Sequence, residues 1–490
     1  MIWARVSVVR GDGPHGAGAW DPWGIGMIRL FRHYVPLPLL MLALVEASVF
    51  FWSIPLGKFA RSWSEGWLFS VDGLFGKAFV FMLVMVSIMT AMGLYERNFW
   101  DGKADMMLRV AVGFLLGLFT ITLIYYFFPD LYLGRGEFGI AFAVSFLLVA
   151  LARYGFFHLS DYDMLKRRVL LLGCGRRARQ IEQLSNGREG KGFKIIGFVR
   201  LNESDEVAVD ADRLLPVRGT LRDLAEAQQI DEIVVAMEDR RRGFPVDQIL
   251  DCKISGFEIT DLSTFFERET GKIQLDSLHP SAMIFSDGFH QAALKTVSKR
   301  LIDVVSSLLL LGLTWPIMLV AALAIWIESG RRGPIFYRQT RVGRHDRVFE
   351  VIKFRSMRTD AEKDGVAQWA QKNDSRVTRV GAFIRKTRID ELPQLFNVLR
   401  GEMSFVGPRP ERPQFVAELS QSIPYYSMRH RVNPGITGWA QICYPYGASE
   451  EDAREKLQYD LYYIKNYSVF LDLMVLLQTA HVILWGKGAR

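Results

Sequence analysis

Residues 299–330 read KRLIDVVSSLLLLGLTWPIMLVAALAIWIESG, and how this stretch is read decides the fold. From Val304 to Ile327 no side chain is charged. A run of that length can cross a bilayer, for which about 20 apolar residues suffice. Pro316 interrupts it midway, and a proline withholds a backbone donor and kinks or breaks a helix. As a kinked full span, the stretch would carry everything after it across the membrane. As a helix–break–helix hairpin dipping into one leaflet, it leaves Lys299 and Ser329 on the same side, provided neighbouring groups satisfy the opened backbone. The chemistry of the chain that follows selects between the two.

That chain is basic. Between Arg338 and Arg412 there are 17 Lys and Arg against 10 Asp and Glu, so most of the net charge of +8 is concentrated there. No aromatic interleaving or groove-reading motif accompanies the charge, which argues against nucleic acid as a partner. Phosphate groups beside a membrane suit it better. IKFRSMR places Lys353 and Arg355 on one face of a strand. FIRKTRIDELPQLFNVL, residues 383–399, has the periodicity of one helix, which would bring Arg385 and Arg388 close to Asp390. GPRPERP forms a rigid turn that presents Arg409. The adjacent acids Asp390 and Glu391 then acquire a purpose. The cations clamp a diphosphate. One carboxylate holds Mg²⁺, which takes few protein ligands, and the other is free to attack phosphorus.

Upstream, KRRVLLLGCGRRARQIEQL runs from an apolar strand through Gly173-x-Gly175-x-x-Ala178 into a helix. With the strands KIIGFV and IDEIVVAM this is a Rossmann-like order, and Gly173 and Gly175 are its candidate nucleotide-binding residues. Arg200 and Leu201 stand where a ribose-binding acid is expected, although Glu203 is close, so a structural or regulatory domain of that topology is the expectation. A membrane-bound nucleotide-sugar epimerase or dehydratase would need Tyr-x-x-x-Lys beside this fold, which YYIKNY does not supply.

Four further apolar stretches, roughly 35–56, 74–95, 107–128 and 138–157, each approach the span length. Arg29 and Arg32 precede them and Lys166, Arg167 and Arg168 follow them, which puts both ends of the bundle in the cytoplasm; Lys58 and Arg61 run against this. Glu46 lies inside the first stretch and is expected to face the bundle interior. With 50% hydrophobic and 23% charged residues, the composition agrees with membrane segments joined to charged domains. Cys174, Cys252 and Cys443 form no metal spacing and read as reduced thiols. The expected organisation is a disordered or extra N-terminal segment (1–33), a four-helix transmembrane bundle (34–160), a Rossmann-like α/β domain (166–290), and a re-entrant helix with an α/β catalytic domain (293–490).

KRLIDVV, the Pro316 break, GPIFYRQTRVG, FEVIKFRSMR, IDELPQLFNVLRGEMSFVGPRP and NPGITGWAQ occur in this order. Together they resemble the bacterial sugar transferases, the monotopic polyprenyl-phosphate phosphoglycosyl transferase superfamily, in its large form and exopolysaccharide-associated branch. The resemblance implies transfer of a sugar 1-phosphate, glucose by default, from a UDP-sugar to undecaprenyl phosphate, with release of UMP. It implies Asp390 as nucleophile and Glu391 as Mg²⁺ ligand. Lys353, Arg355, Arg385 and Arg409 are the implied phosphate binders, and Pro316 the re-entrant break. It also implies a homodimer at the bacterial inner membrane, with its catalytic face in the cytoplasm. Small members often carry Ser before that proline, where this chain has Trp315. The rival of another class is a membrane sensor with a nucleotide-binding middle domain and a degenerate transferase unit.

Overall fold

The computed structural model describes residues 27–30, 33–65, 73–95, 103–160, 166–187, 192–201, 205–238, 243–278, 293–330, 333–359, 376–444, 447 and 449–485. Most of the expected disordered or extra segment 1–33, and Glu203, lie outside the described residues. Two compact units are present, Met1–Gly271 and Lys272–Arg490.

The first unit opens with an antiparallel pair, β1 (Met27–Leu30) and β2 (His33–Pro36). Four apolar helices follow: α1 (Leu37–Glu65), α2 (Leu74–Ala91), α3 (Lys103–Phe127) and α4 (Arg135–Ser160). Each is long and apolar enough to cross a membrane. Helices α1 and α4 approach closely at Gly57, where a Cβ would lie 2.6 Å from the carbonyl oxygen of Glu137. Glu46 is fully buried in this bundle, as expected of a membrane carboxylate. Its partners were not legible in the sequence: Arg153 Nη2 and the Tyr95 hydroxyl donate to Glu46 Oε2 at 2.7 and 2.6 Å.

The α/β part of this unit contains β3 (Arg167–Leu172), α5 (Arg176–Asn186), β4 (Phe193–Val199), α6 (Leu221–Ala227), β5 (Glu232–Val235), α7 (Val246–Ile254), β6 (Glu258–Asp261) and α8 (Leu262–Thr270). The sheet is wholly parallel, in the order β4-β3-β5-β6. Strand Leu170 to Leu172 is completely buried, as a strand covered by helices on both faces must be. Counted along the chain, the order is 2-1-3-4, the doubly wound arrangement whose crevice opens between strands 1 and 3, rather than the 3-2-1-4-5-6 order of the full Rossmann fold.

The second unit starts at Lys272, earlier than the expected boundaries at 290 and 293. Ile273 N–H donates to Gln458 O at 3.0 Å, and Ile273 and Leu275 join the core of this unit. Its elements are α9 (Ala293–Glu328), β7 (Phe336–Val342), β8 (Val348–Phe354), α10 (Arg379–Lys386), α11 (Gln394–Arg400), β9 (Ser404–Val406), α12 (Pro413–Ser422), β10 (Gly435–Thr437), α13 (Trp439–Cys443), α14 (Glu450–Lys465) and α15 (Val469–Trp485). Helix α9 is one element through Pro316, where the sequence suggested two helices around a break. A proline removes only one bond of the ladder, and a long apolar helix absorbs that loss.

Both ends of α9 are tied into the same unit. Near its start, Lys299 is buried and donates to Asp472 Oδ2 at 2.6 Å and to Val406 O at 2.9 Å, while Asp303 accepts from Phe405 N–H at 3.0 Å. Near its end, Ala321 and Ile325 pack with Phe354 and Ile384, and Glu328 accepts from Val380 N–H at 3.1 Å. Between these anchors Leu308, Leu309, Leu313, Trp315, Leu319 and Val320 are exposed.

Candidate active site

The stretch 383–399 is not one helix. Helix α10 ends at Lys386, and Arg388 adopts a left-handed conformation at φ 60°. Ile389–Glu391 form a single 3-10 turn, and Pro393 caps the start of α11. A left-handed non-glycine residue costs on the order of 1 kcal/mol or more, the kind of strain that persists where the surroundings impose it. The break takes the acidic pair off a helix face. Asp390 becomes buried instead of solvated, with its Oδ1 lacking any hydrogen-bond partner.

Glu391 is in the opposite situation. Its Oε1 accepts from Lys353 Nζ at 3.1 Å and lies 3.6 Å from Arg409 Nη2 and 3.7 Å from Arg388 Nη1. Lys353 is delivered by β8, which is pinned to α11: Ile352 N–H donates to Asn397 Oδ1 at 3.0 Å and Asn397 Nδ2 to Glu350 O at 2.7 Å. Arg409 comes from the Pro-Arg-Pro turn after β9.

Environment separates the two acids. Burial, and then the charge of Glu391, push Asp390 up to about 6 against the pull of Lys353, Arg385 and Arg388. Burial also acts on Glu391, but Lys353, Arg409 and Arg388 outweigh it and hold that carboxyl at about 2. Burial lowers Lys353, partly offset by Glu391. Four cations thus bear on two carboxylates, one permanently ionised and the other poised near neutrality. An excess of positive charge remains for an incoming anion. Adjacent carboxyls driven apart in this way mark sites that use them in different roles.

The expected phosphate-binding residues distribute unevenly. Lys353 and Arg409 touch Glu391. Arg385 sits in the last turn of α10 and bears on Asp390 through its charge. Arg355 follows β8 and donates to Ser329 Oγ at the end of α9; its hydrogen bonds do not reach the acidic pair. Arg388 joins the site through its left-handed turn. Arg429 Nη2 donates to Arg409 O and Arg341 Nη1 to Pro410 O, and Arg429 in turn meets the Tyr426 hydroxyl and Asp460, an acid whose sequence sign is its place within YDLYYIK.

In the first unit, Gly173 has φ +123°, and a Cβ there would meet Ala236 O at 2.7 Å, so the turn requires glycine. Gly175 precedes the first turn of α5, the end at which this fold receives a phosphate. That end is already occupied. Arg177 N–H donates to Glu238 Oε1 at 2.8 Å, and Arg177 Nη1 donates to Met237 O at 3.0 Å.

Comparison with known proteins gives two family matches, bacterial sugar transferase over residues 294–486 and CoA-binding domain over residues 90–243. A UDP-N-acetylgalactosamine-undecaprenyl-phosphate N-acetylgalactosaminephosphotransferase of Aeromonas hydrophila is 43% identical over 49% of this chain and 55% of its own length. A UDP-glucose:undecaprenyl-phosphate glucose-1-phosphate transferase of Xanthomonas campestris pv. campestris is 32% identical over 73% of this chain and 75% of its own. An undecaprenyl-phosphate galactose phosphotransferase of Salmonella typhimurium is 30% identical over 81% and 83%.

Proposed function

Because this chain belongs to the bacterial sugar transferase family, we propose that it moves a hexose 1-phosphate from a UDP-sugar to undecaprenyl phosphate through a covalent intermediate on Asp390. The observation that carries the reading is the buried Asp390 Oδ1 with no hydrogen-bond partner, beside a Glu391 held ionised by three cations. In the first step an Asp390 carboxylate oxygen bonds to the phosphorus that bears the sugar. The bond from that phosphorus to the bridging diphosphate oxygen breaks, and UMP leaves with the electron pair. In the second step an oxyanion of undecaprenyl phosphate attacks the same phosphorus and expels the Asp390 carboxylate. A lipid diphosphate sugar forms and no net proton is exchanged. Lys353, Arg388 and Arg409 hold the substrate phosphates in this reading, with Arg385 lowering the cost of charge around Asp390. Glucose is the default sugar, with galactose and N-acetylated hexoses behind it; lipid-linked products from a panel of UDP-sugars identify it.

Mg²⁺ fits the donor set. Glu391 and the unpartnered oxygen of Asp390 are hard oxygen donors; among the described residues no group of three or more His, Cys, Asp or Glu could hold a metal ion, so the protein would supply only these carboxylates. Glu391 would hold the ion, with substrate phosphates and water completing its shell. When bound, it supplies neutralisation of charge on the phosphoryl oxygens.

Asp390 attacks only when ionised. UMP release in a single turnover is therefore expected to rise with pH through about 6 and level off above it, while Glu391 stays charged throughout. A rate that stays flat down to about pH 5 would assign the nucleophile elsewhere.

The two anchored ends of α9 support a re-entrant helix and a cytoplasmic active site. A crossing helix would set these ends on opposite sides of about 30 Å of hydrocarbon, and one polar unit does not hold both. Pro316 is where such a helix bends. Val297, in the first turns of this helix, and Val348, at the start of β8 beyond it, are both exposed. Cysteines at these positions should resist an impermeant thiol reagent in right-side-out vesicles and react once the membrane is opened. Labelling of only one of the two from outside would establish a crossing.

Coenzyme A, which the second family description implies, does not fit the middle domain, because its phosphates would meet the Glu238 carboxylate at the start of α5. Coenzyme A and NAD are expected to give no binding heat with the full chain, and Glu238→Gln to raise affinity for inorganic pyrophosphate. Tight binding to the unaltered chain would refute this.

A further inference from the structure

We infer that Arg429 and Arg341 are positioning residues for Arg409, acting through the carbonyl groups of the turn that carries it. The inference rests on Arg409 being a phosphate binder as proposed above. The turn has an unusual holding problem. Pro408 and Pro410 have no N–H, so Arg409 cannot be placed by a ladder of backbone donors. The structure solves this from the acceptor side. Gly435 N–H donates to Pro408 O at 2.9 Å and Val342 N–H to Glu411 O at 2.9 Å. The two carbonyls between them go to side chains: Arg429 Nη2 donates to Arg409 O at 3.0 Å and Arg341 Nη1 to Pro410 O at 2.9 Å.

Both cations are themselves fixed. Arg429 is buried, its Nη1 donates to the Tyr426 hydroxyl at 2.6 Å, and its Nη2 lies 2.9 Å from Asp460 Oδ2 on α14. Arg341 donates through Nε and Nη2 to Gln339 Oε1 at 2.9 and 2.6 Å, and lies 3.4 Å from Glu411 Oε2. A guanidinium has five donors in one plane, so a single side chain can grip a carboxylate, a phenol and a carbonyl together. A buried ion pair adds little stability over apolar residues of similar volume. Asp460 and Arg429, at the back of a turn whose front side chain reaches Glu391, therefore point to a task of position. The tolerance at the front is small, because a misplacement of about 1 Å can cost a rate up to about 100-fold.

The test is a double-mutant cycle on the full chain in lipid nanodiscs, reading kcat/KM and single-turnover UMP release. Arg429→Lys alone is expected to lower kcat/KM about tenfold, and to lower it no further in an Arg409→Ala background. A positioning role predicts this loss of effect; a merely structural one does not. An equal tenfold loss on top of Arg409→Ala overturns the inference while leaving the reading of Arg409 intact. An Arg409→Ala chain with unchanged rate overturns both. Should Arg429→Lys fail to elute as a folded species, the cycle is run with Arg341→Lys, where the same coupling is expected and additivity is equally fatal.

Discussion

Asp390→Asn is expected to abolish the phosphosugar adduct, and with it UMP release and turnover, by about 10⁴-fold or more, the scale seen when a nucleophile is removed. The measurement is mass spectrometry of the chain after incubation with UDP-sugar alone, alongside stoichiometric UMP release. Release that waits for undecaprenyl phosphate, with near-normal turnover in the variant, would mean a ternary-complex reaction and no covalent step. The same variant carries a second signature. A carboxyl raised to about 6 in the folded chain, against about 3.9 unfolded, favours folding fully only below the unfolded value and loses that contribution as pH rises through 6. Asparagine has no charge to bury. Asp390→Asn should therefore match the parent in stability near about pH 4 and exceed it by on the order of 2–3 kcal/mol near about pH 8. A chain that gains stability while losing all chemistry is what a site held strained for function produces. A variant destabilised at every pH would instead make Asp390 a structural residue.

Glu391→Gln should cut the rate by about 100-fold or more, the scale of losing one preorganised electrostatic group. The carboxylate gathers Lys353, Arg388 and Arg409 around one oxygen. Glutamine leaves these cations facing one another, with a half-buried Lys353 deprived of its partner. Two readouts distinguish this from loss of the nucleophile. The adduct should still form, slowly, and half-maximal activity should require more Mg²⁺. An unaltered Mg²⁺ requirement would remove Glu391 from the metal and leave it as the organiser of the cations.

Much of the site was legible in the sequence because its parts are local. Asp390 and Glu391 are adjacent, Pro-Arg-Pro is contiguous, and an apolar run with a central proline needs no partner to be noticed. The misreading of 383–399 as one helix has a specific cause. Its apolar spacing survives a break of one left-handed residue and a 3-10 turn, so periodicity alone does not register Arg388 or Pro393. Arg355 was grouped with Lys353 by alternation along β8, yet the strand ends at Phe354 and its guanidinium turns to Ser329.

By itself, then, the sequence determined the four apolar helices of the bundle, the apolar run of α9, the parallel α/β unit and the chemical inventory of the catalytic segment. Each is written in composition and short-range spacing, to which burial and backbone geometry respond directly. Tertiary structure alone decided which environment each charge meets. The opposite states of Asp390 and Glu391 come from a buried turn and from cations delivered by β8 and by the turn after β9. The capture of Arg409 O by Arg429, and of Arg429 by Asp460, joins three parts of the chain distant in sequence. The occupation of the α5 end by Glu238 is of the same kind. Charge interactions and desolvation depend on distances through space, and no local pattern encodes those distances.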